Sequence, residues 1–164
     1  MATEGNSQLF QSNTGIGSTR DACVVLVKTI WNASVTDELE RGCRRILESN
    51  GISKILTLLV PGAVEIPFAI KQHHLRTASF HADAYIALGC VIKGDTPHFD
   101  YVCRSVTDGI THLNLSLPVP VIYGVLTVNN QLQATERLGG KHGHKGEEAA
   151  YTALKMIDLC GSIE

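Results

Sequence analysis

The residues best suited to chemistry lie in one run, Ala87-Leu-Gly-Cys-Val-Ile-Lys-Gly-Asp-Thr-Pro-His-Phe-Asp-Tyr-Val102. An apolar stretch, Tyr85 to Leu88, leads through two glycines to Thr96-Pro97-His98. Thr96 is a natural cap for the orphan donors of a helix start, and Pro97 suits the first helical position because it has no N–H to lose. A strand, a glycine-containing loop and a helix N-terminus form a cradle for an anion. His98, in the first turn of that helix, can move protons near neutral pH. This layout reads as an active site for a small phosphorylated molecule.

Such a site needs a scaffold, and the rest of the chain supplies one. Cys23-Val-Val-Leu-Val27 is a continuous apolar run, the mark of a strand covered on both faces. Val35, Leu39, Cys43, Ile46 and Leu47 follow at helical spacing over 34–49, and Asn50-Gly51 supplies the stop. A second strand is expected from Lys54 to Val60, and a helix from about 65–67 to 77. The third strand covers Ala84 to about Val91, the third helix runs from Thr96 towards Leu115, and a fourth strand spans Pro120 to Leu126. Two helices close the chain, near 130–138 and 145–160, separated by the glycine-rich run 139–146. Alternating strand and helix with right-handed crossovers gives a parallel sheet with helices on both faces.

The chain has 164 residues and a formal net charge of −2. That length fits one domain, and the mixed charge gives no reason to expect nucleic acid or a membrane surface as partner. No apolar run approaches the roughly 20 residues of a spanning helix, and no secretory signal opens the chain, so a cytoplasmic protein is expected. Residues 1–21 are polar and aperiodic and read as a flexible arm that orders only against a neighbouring subunit, ahead of a single domain over 22–164. A transit peptide is the other reading of that arm, with only Arg20 to supply its charge. The five cysteines are scattered with no Cys-x-x-Cys pair, which favours reduced thiols over a disulfide scaffold or a zinc site.

In open parallel sheets ligands bind beyond the carboxyl ends of the strands. Here those ends carry Trp31-Asn32, then Pro61-Gly-Ala-Val-Glu65, then the 94–98 loop, then Val128-Asn-Asn130. A stacking ring, amides, one carboxylate and tight backbone therefore converge on one rim, suited to a planar heterocycle with an anionic group.

Gly62-Ala-Val-Glu-Ile-Pro67, the 87–102 run, Pro120-Val-Ile-Tyr-Gly-Val-Leu-Thr127, and Glu136-Arg137 followed by Lys145-Gly146 together resemble the lumazine synthase family. The similarity spans about 22–160, in order and in register. It implies a flavodoxin-like three-layer α/β/α sandwich with a four-stranded parallel sheet. It also implies the penultimate reaction of riboflavin biosynthesis, in which 5-amino-6-(D-ribitylamino)uracil condenses with 3,4-dihydroxy-2-butanone 4-phosphate. On this resemblance Trp31 stacks on the pyrimidine, Ala63, Val64 and Glu65 hold ring and ribityl chain, and Cys90, Val91 and Ile92 line the same pocket. Asp95 and Thr96 match the phosphate loop, His98 the proton-transfer histidine, and Arg137 the phosphate-binding cation. Tyr123 fits a pocket wall, Lys145 a charged position near the phosphate, and Glu148 a group that orients His98. In the family the last four of these, Tyr123, Arg137, Lys145 and Glu148, come from the adjacent subunit. No metal or organic cofactor is implied. A homopentamer is implied, with a 60-subunit icosahedral shell as its larger form and riboflavin synthase as a candidate enclosed partner.

Competing readings stand beside these. Trp31 is alternatively core packing, Glu65 a first-turn acid complementing the helix dipole, and Arg137 a solvated charge. The run 139–146 lacks the spacing of a nucleotide phosphate loop, and His142 and His144 are expected in solvent. Departures from the family pattern are Ile30 for arginine, Asn129 for an acid, His144 for asparagine, and the acidic Asp95 in a phosphate loop. A flavin- or lumazine-binding protein without catalysis and a mainly structural shell protein are the rival functions. The presence of His98 and Arg137 argues against the first, and the retention of all the matched polar positions against the second.

Overall fold

The apolar runs pair as one parallel sheet in the computed structural model, which describes residues 21–77 and 80–163. Its strands are β1 (Cys23–Thr29), β2 (Lys54–Val60), β3 (Ala84–Ile92) and β4 (Val121–Val128), in the order β2-β1-β3-β4. Each neighbouring pair is parallel, so every connection is a crossover. The crossovers are α1 (Ala33–Ser49), α2 (Ile66–Arg76) and α3 (His98–Ser116). After β4 come a five-residue α4 (Gln131–Thr135), a small antiparallel pair of β5 (Leu138–Gly140) and β6 (Gly143–His144), and α5 (Lys145–Ile163).

The pleat sorts the core into two layers. Val24 and Leu26 of β1, with Ile86 and Leu88 of β3, pack under α1 and α5. Val25 and Val27, with Tyr85 and Ala87, face α2 and α3. Central strands apolar on both faces are what a sandwiched parallel sheet requires. The expected three-layer flavodoxin-like fold with four parallel strands is the fold observed. The expected N-terminal arm lies outside the described residues save Asp21.

Several local expectations are corrected. The third helix begins at His98 with Pro97 as its cap residue, and no side chain caps it, so Thr96 lies in the preceding turn. The helix expected over 130–138 is shorter, because Leu138 to Gly140 leaves it to pair with 143–144. Positive φ at Gly139 (103°) and Gly143 (73°) gives the bends this hairpin needs, a conformation that glycine adopts without strain. His144 is not in solvent: it is 7% exposed, enclosed between α1 and the start of α5.

One ion cluster ties α1 to the sheet. Lys28 of β1 donates to Asp37 and Glu40 of α1, at 2.7 and 2.6 Å. Glu40 also accepts from Thr57 of β2 and from Arg44. Burial alone would push the Glu40 carboxyl up, yet these donors outweigh it and hold the group down at about 2.

Candidate active site

The carboxyl ends of β1, β2 and β3 build the first half of the site. Trp31 leaves β1 with 67% of its surface exposed, so it is not core. Its N–H donates to Pro61 O (3.1 Å), and its carbonyl accepts from the Thr29 hydroxyl (3.0 Å). Asn32 follows with φ 59°, the left-handed conformation that asparagine tolerates better than most residues. Its side-chain amide donates to Cys90 O at 2.8 Å, joining the Trp31 turn to the end of β3. Asn32 and Thr29 brace this turn; the sequence puts the Asn32 amide on the rim but gives neither its bond to Cys90 O nor the part of Thr29. The signal for Asn32 was its place at a helix start where a left-handed residue must turn the chain.

Gly62 stands directly against the indole. A Cβ there would come 2.6 Å from ring carbons of Trp31 and 3.2 Å from the Glu65 carboxylate. The Glu65 carboxylate accepts the Gly62 N–H at 3.0 Å, closing the tight turn before a single 3-10 turn at Ala63–Glu65. Glu65 therefore has the local helix-start role, held through one carboxylate oxygen. Ala63 is buried, whereas Val64 is exposed on the rim. The Cys90 side chain belongs to the core, and burial pushes its thiol up to about 11. It does not titrate near neutrality and suits a wall better than a nucleophile. Val91 and Ile92 are half-buried at the same strand end.

Beyond β3, Asp95, Thr96 and His98 are all exposed in the loop and at the first residue of α3. The unpaired backbone donors of a 19-residue helix begin at that point, which favours an anion there.

The second half lies along β4, the uncovered edge of the sheet. A groove of about 510 Å³ is lined by Tyr123, Val125, Lys145, Glu148, Thr152 and Met156, among others. Lys145 Nζ meets both oxygens of Glu148 at 2.7 Å, so within one chain Glu148 is bound to Lys145 rather than to His98. The Tyr123 hydroxyl lies 3.3 Å from that of Thr107, and burial raises its phenol. Arg137 has one guanidinium N–H donating to Gln133 O at 2.8 Å. The Lys145 N–H donates to Arg137 O at 2.9 Å, linking the two cations through the backbone. The sequence-derived residues thus fall into two groups: 31, 62–65 and 90–98 at the strand ends, and 123, 145 and 148 along the edge groove, with 137 joined to 145.

Among the described residues no group of histidine, cysteine and acidic side chains is arranged to hold a metal ion. No helix is long and apolar enough to cross a membrane.

Fold and rim together define an α/β sandwich protein that presents an exposed aromatic, tight backbone and a helix start at its strand ends. Residues 21–161 match the family model described as 6,7-dimethyl-8-ribityllumazine synthase. The chain is 47% identical over 146 residues to the 6,7-dimethyl-8-ribityllumazine synthase of Porphyromonas gingivalis, covering 85% of this chain and 86% of the relative. The synthase of Bacteroides fragilis is 46% identical, over 84% of this chain and 96% of its own. That of Bdellovibrio bacteriovorus is 49% identical, over 85% and 76%. The chain belongs to the 6,7-dimethyl-8-ribityllumazine synthase family.

Proposed function

We propose that the protein condenses 5-amino-6-(D-ribitylamino)uracil with 3,4-dihydroxy-2-butanone 4-phosphate to give 6,7-dimethyl-8-ribityllumazine. The observation that carries this reading is the agreement of the family match over 21–161 with the rim itself. There Trp31, Gly62–Glu65 and the start of α3 stand together at the strand ends.

The 5-amine attacks the ketone and water leaves, forming an imine. Loss of a proton from the neighbouring carbon gives an enol-type intermediate and expels phosphate. The ribitylamino nitrogen then closes the ring with loss of a second water. Trp31 stacks on the pyrimidine, Val91 and Ile92 wall it, and Ala63, Val64 and Glu65 hold the ring and ribityl chain, the free Glu65 oxygen accepting from a hydroxyl. His98 moves the protons. Arg137, Lys145 and the backbone donors around Asp95 and Thr96 stabilise the phosphate as it departs. The amine is already nucleophilic, so much of the acceleration comes from holding two substrates together.

Because the edge groove and the rim are separate groups within one chain, the complete site is formed between neighbouring subunits. Tyr123, Arg137, Lys145 and Glu148 are supplied by one subunit to the rim of the next, in a homopentamer. Glu148 then stands beside the neighbour's His98. Exposed Ile30, Leu59, Phe68 and Leu75 supply apolar surface for such contacts.

The test is an absorbance or fluorescence assay of purified protein with both substrates. Product formation above background that needs both substrates is expected. Product at background level, with the folded oligomer still binding flavin-like ligands, would make the protein a binder instead.

A further inference from the structure

We infer that His144 is a positioning residue for the phosphate-binding end of the site, acting as the side-chain cap of α5. The inference rests on the synthase reading. His144 directly precedes α5, and its Nδ1 accepts the backbone N–H of Glu147 at 3.4 Å. A residue just before a helix that accepts from the third helical N–H satisfies an orphan donor and fixes the entry of the chain. That bond requires Nδ1 to be the bare nitrogen, so the ring hydrogen sits on Nε2. Nε2 faces the Glu38 carboxylate at 3.5 Å, with no hydrogen bond of good geometry. The cap is accordingly the better of the ring's two polar contacts.

The ring is held in a joint that only small residues allow. A Cβ on Gly42 would stand 2.1 Å from His144 Cε1, and one on Gly146 would stand 2.2 Å from Leu39 O. The Cys43 thiol donates to Gly146 O at 2.9 Å across the same joint. Two links then run from the capped turn to charged groups of the site. The Lys145 N–H donates to Arg137 O, and Lys145 Nζ binds Glu148. His144 touches neither substrate in this account. It sets where Arg137 and Lys145 stand relative to each other.

Steady-state kinetics of the assembled protein test this, together with deuterium exchange of residues 145–149. His144→Leu keeps bulk but removes the acceptor, and His144→Gln keeps polarity but carries its oxygen one bond too far. Each is expected to raise KM for the butanone phosphate about fivefold, with kcat and KM for the pyrimidine little changed, and to speed exchange over 145–149. His144→Asn returns an acceptor to the capping position and is expected to restore both KM and exchange protection. Unchanged KM in the Leu and Gln variants, or an Asn variant as impaired as they are, would overturn the assignment. If Leu does not assemble, the Gln and Asn pair decides. Wild-type protein that makes no lumazine would overturn the synthase reading instead, and the exchange data would still settle the cap.

Discussion

The ion cluster between α1 and the sheet and the charged rim of the site use the same residue types to opposite ends. Around Lys28 and Glu40 every partner is present: side chains only 12% and 16% exposed, five donors and acceptors from β1, β2 and α1, and distances of 2.6 to 3.0 Å. At the rim, His98, Asp95 and Thr96 are exposed, and Glu65 uses one oxygen in a turn while keeping the other. The closed cluster lowers the energy of the fold and has nothing left to offer a ligand. The open one has few partners within the fold and, on the proposed function, keeps its hydrogen-bonding capacity for substrate.

The sharpest way to break this contrast is to open the closed cluster. Glu40→Ala leaves Lys28 and Arg44 short of a partner in a half-buried place and is expected to lower unfolding free energy by about 3 kcal/mol, read by urea denaturation. The same cluster carries a pH signature. With its folded carboxyl held at about 2 against an ordinary 4.5, Glu40 contributes stability that is complete above about 4.5. That contribution is lost as pH falls towards 2, because the unfolded chain takes up the proton first. The stability gap between wild type and Glu40→Gln therefore closes as pH falls through that window; a constant gap would show that charge is not the cause.

At the open rim, His98→Ala is expected to cut kcat about a hundredfold with the oligomer's size and melting temperature kept. An unchanged rate would remove its assigned role. Arg137→Ala is expected to raise KM for the butanone phosphate about tenfold, with KM for the pyrimidine unaltered. The smallest effect separates thiols rather than charges. Cys160 is exposed and Cys90 is buried with its thiol pushed up, so near pH 8 Cys90 is expected to alkylate at least about tenfold more slowly. Mass spectrometry of timed digests reads the ratio.

Much of the scaffold was legible because it rests on apolar periodicity. Cys23–Val27 and Tyr85–Leu88 are unbroken apolar runs, and a strand buried on both faces leaves that pattern whatever surrounds it. The start of α3 lies one residue beyond the expected one, because Thr96-Pro97 satisfies the local rules for a cap and first helical residue. The chain instead keeps Thr96 in the loop and enters the helix through Pro97. The β5–β6 hairpin and the burial of His144 were not legible. The hairpin turns on the positive φ of Gly139 and Gly143, and the burial of His144 depends on Gly42 and Gly146, far apart in sequence, leaving room where α1 meets α5. For the proposed site, the rule that ligands gather beyond strand ends points to Trp31-Asn32, Glu65 and the 94–98 loop. It put the Asn32 amide on that rim but could not give its bond to a carbonyl 58 residues away. Nor does anything local in Tyr123 or Lys145 mark them as lining one groove on the sheet edge.

The turn that carries Trp31 is tied to β2 through Pro61 O, to β1 through Thr29, and to β3 through Cys90 O. The indole is therefore presented by the register of three neighbouring strands, β2, β1 and β3, and folding has already removed the freedom of its backbone. On the proposed function, an arriving heterocycle meets a platform in its final place, so little ordering entropy is charged against its affinity. Calorimetry of pyrimidine binding would then show loop ordering contributing almost nothing, and Asn32→Ala would shift that cost from folding to binding.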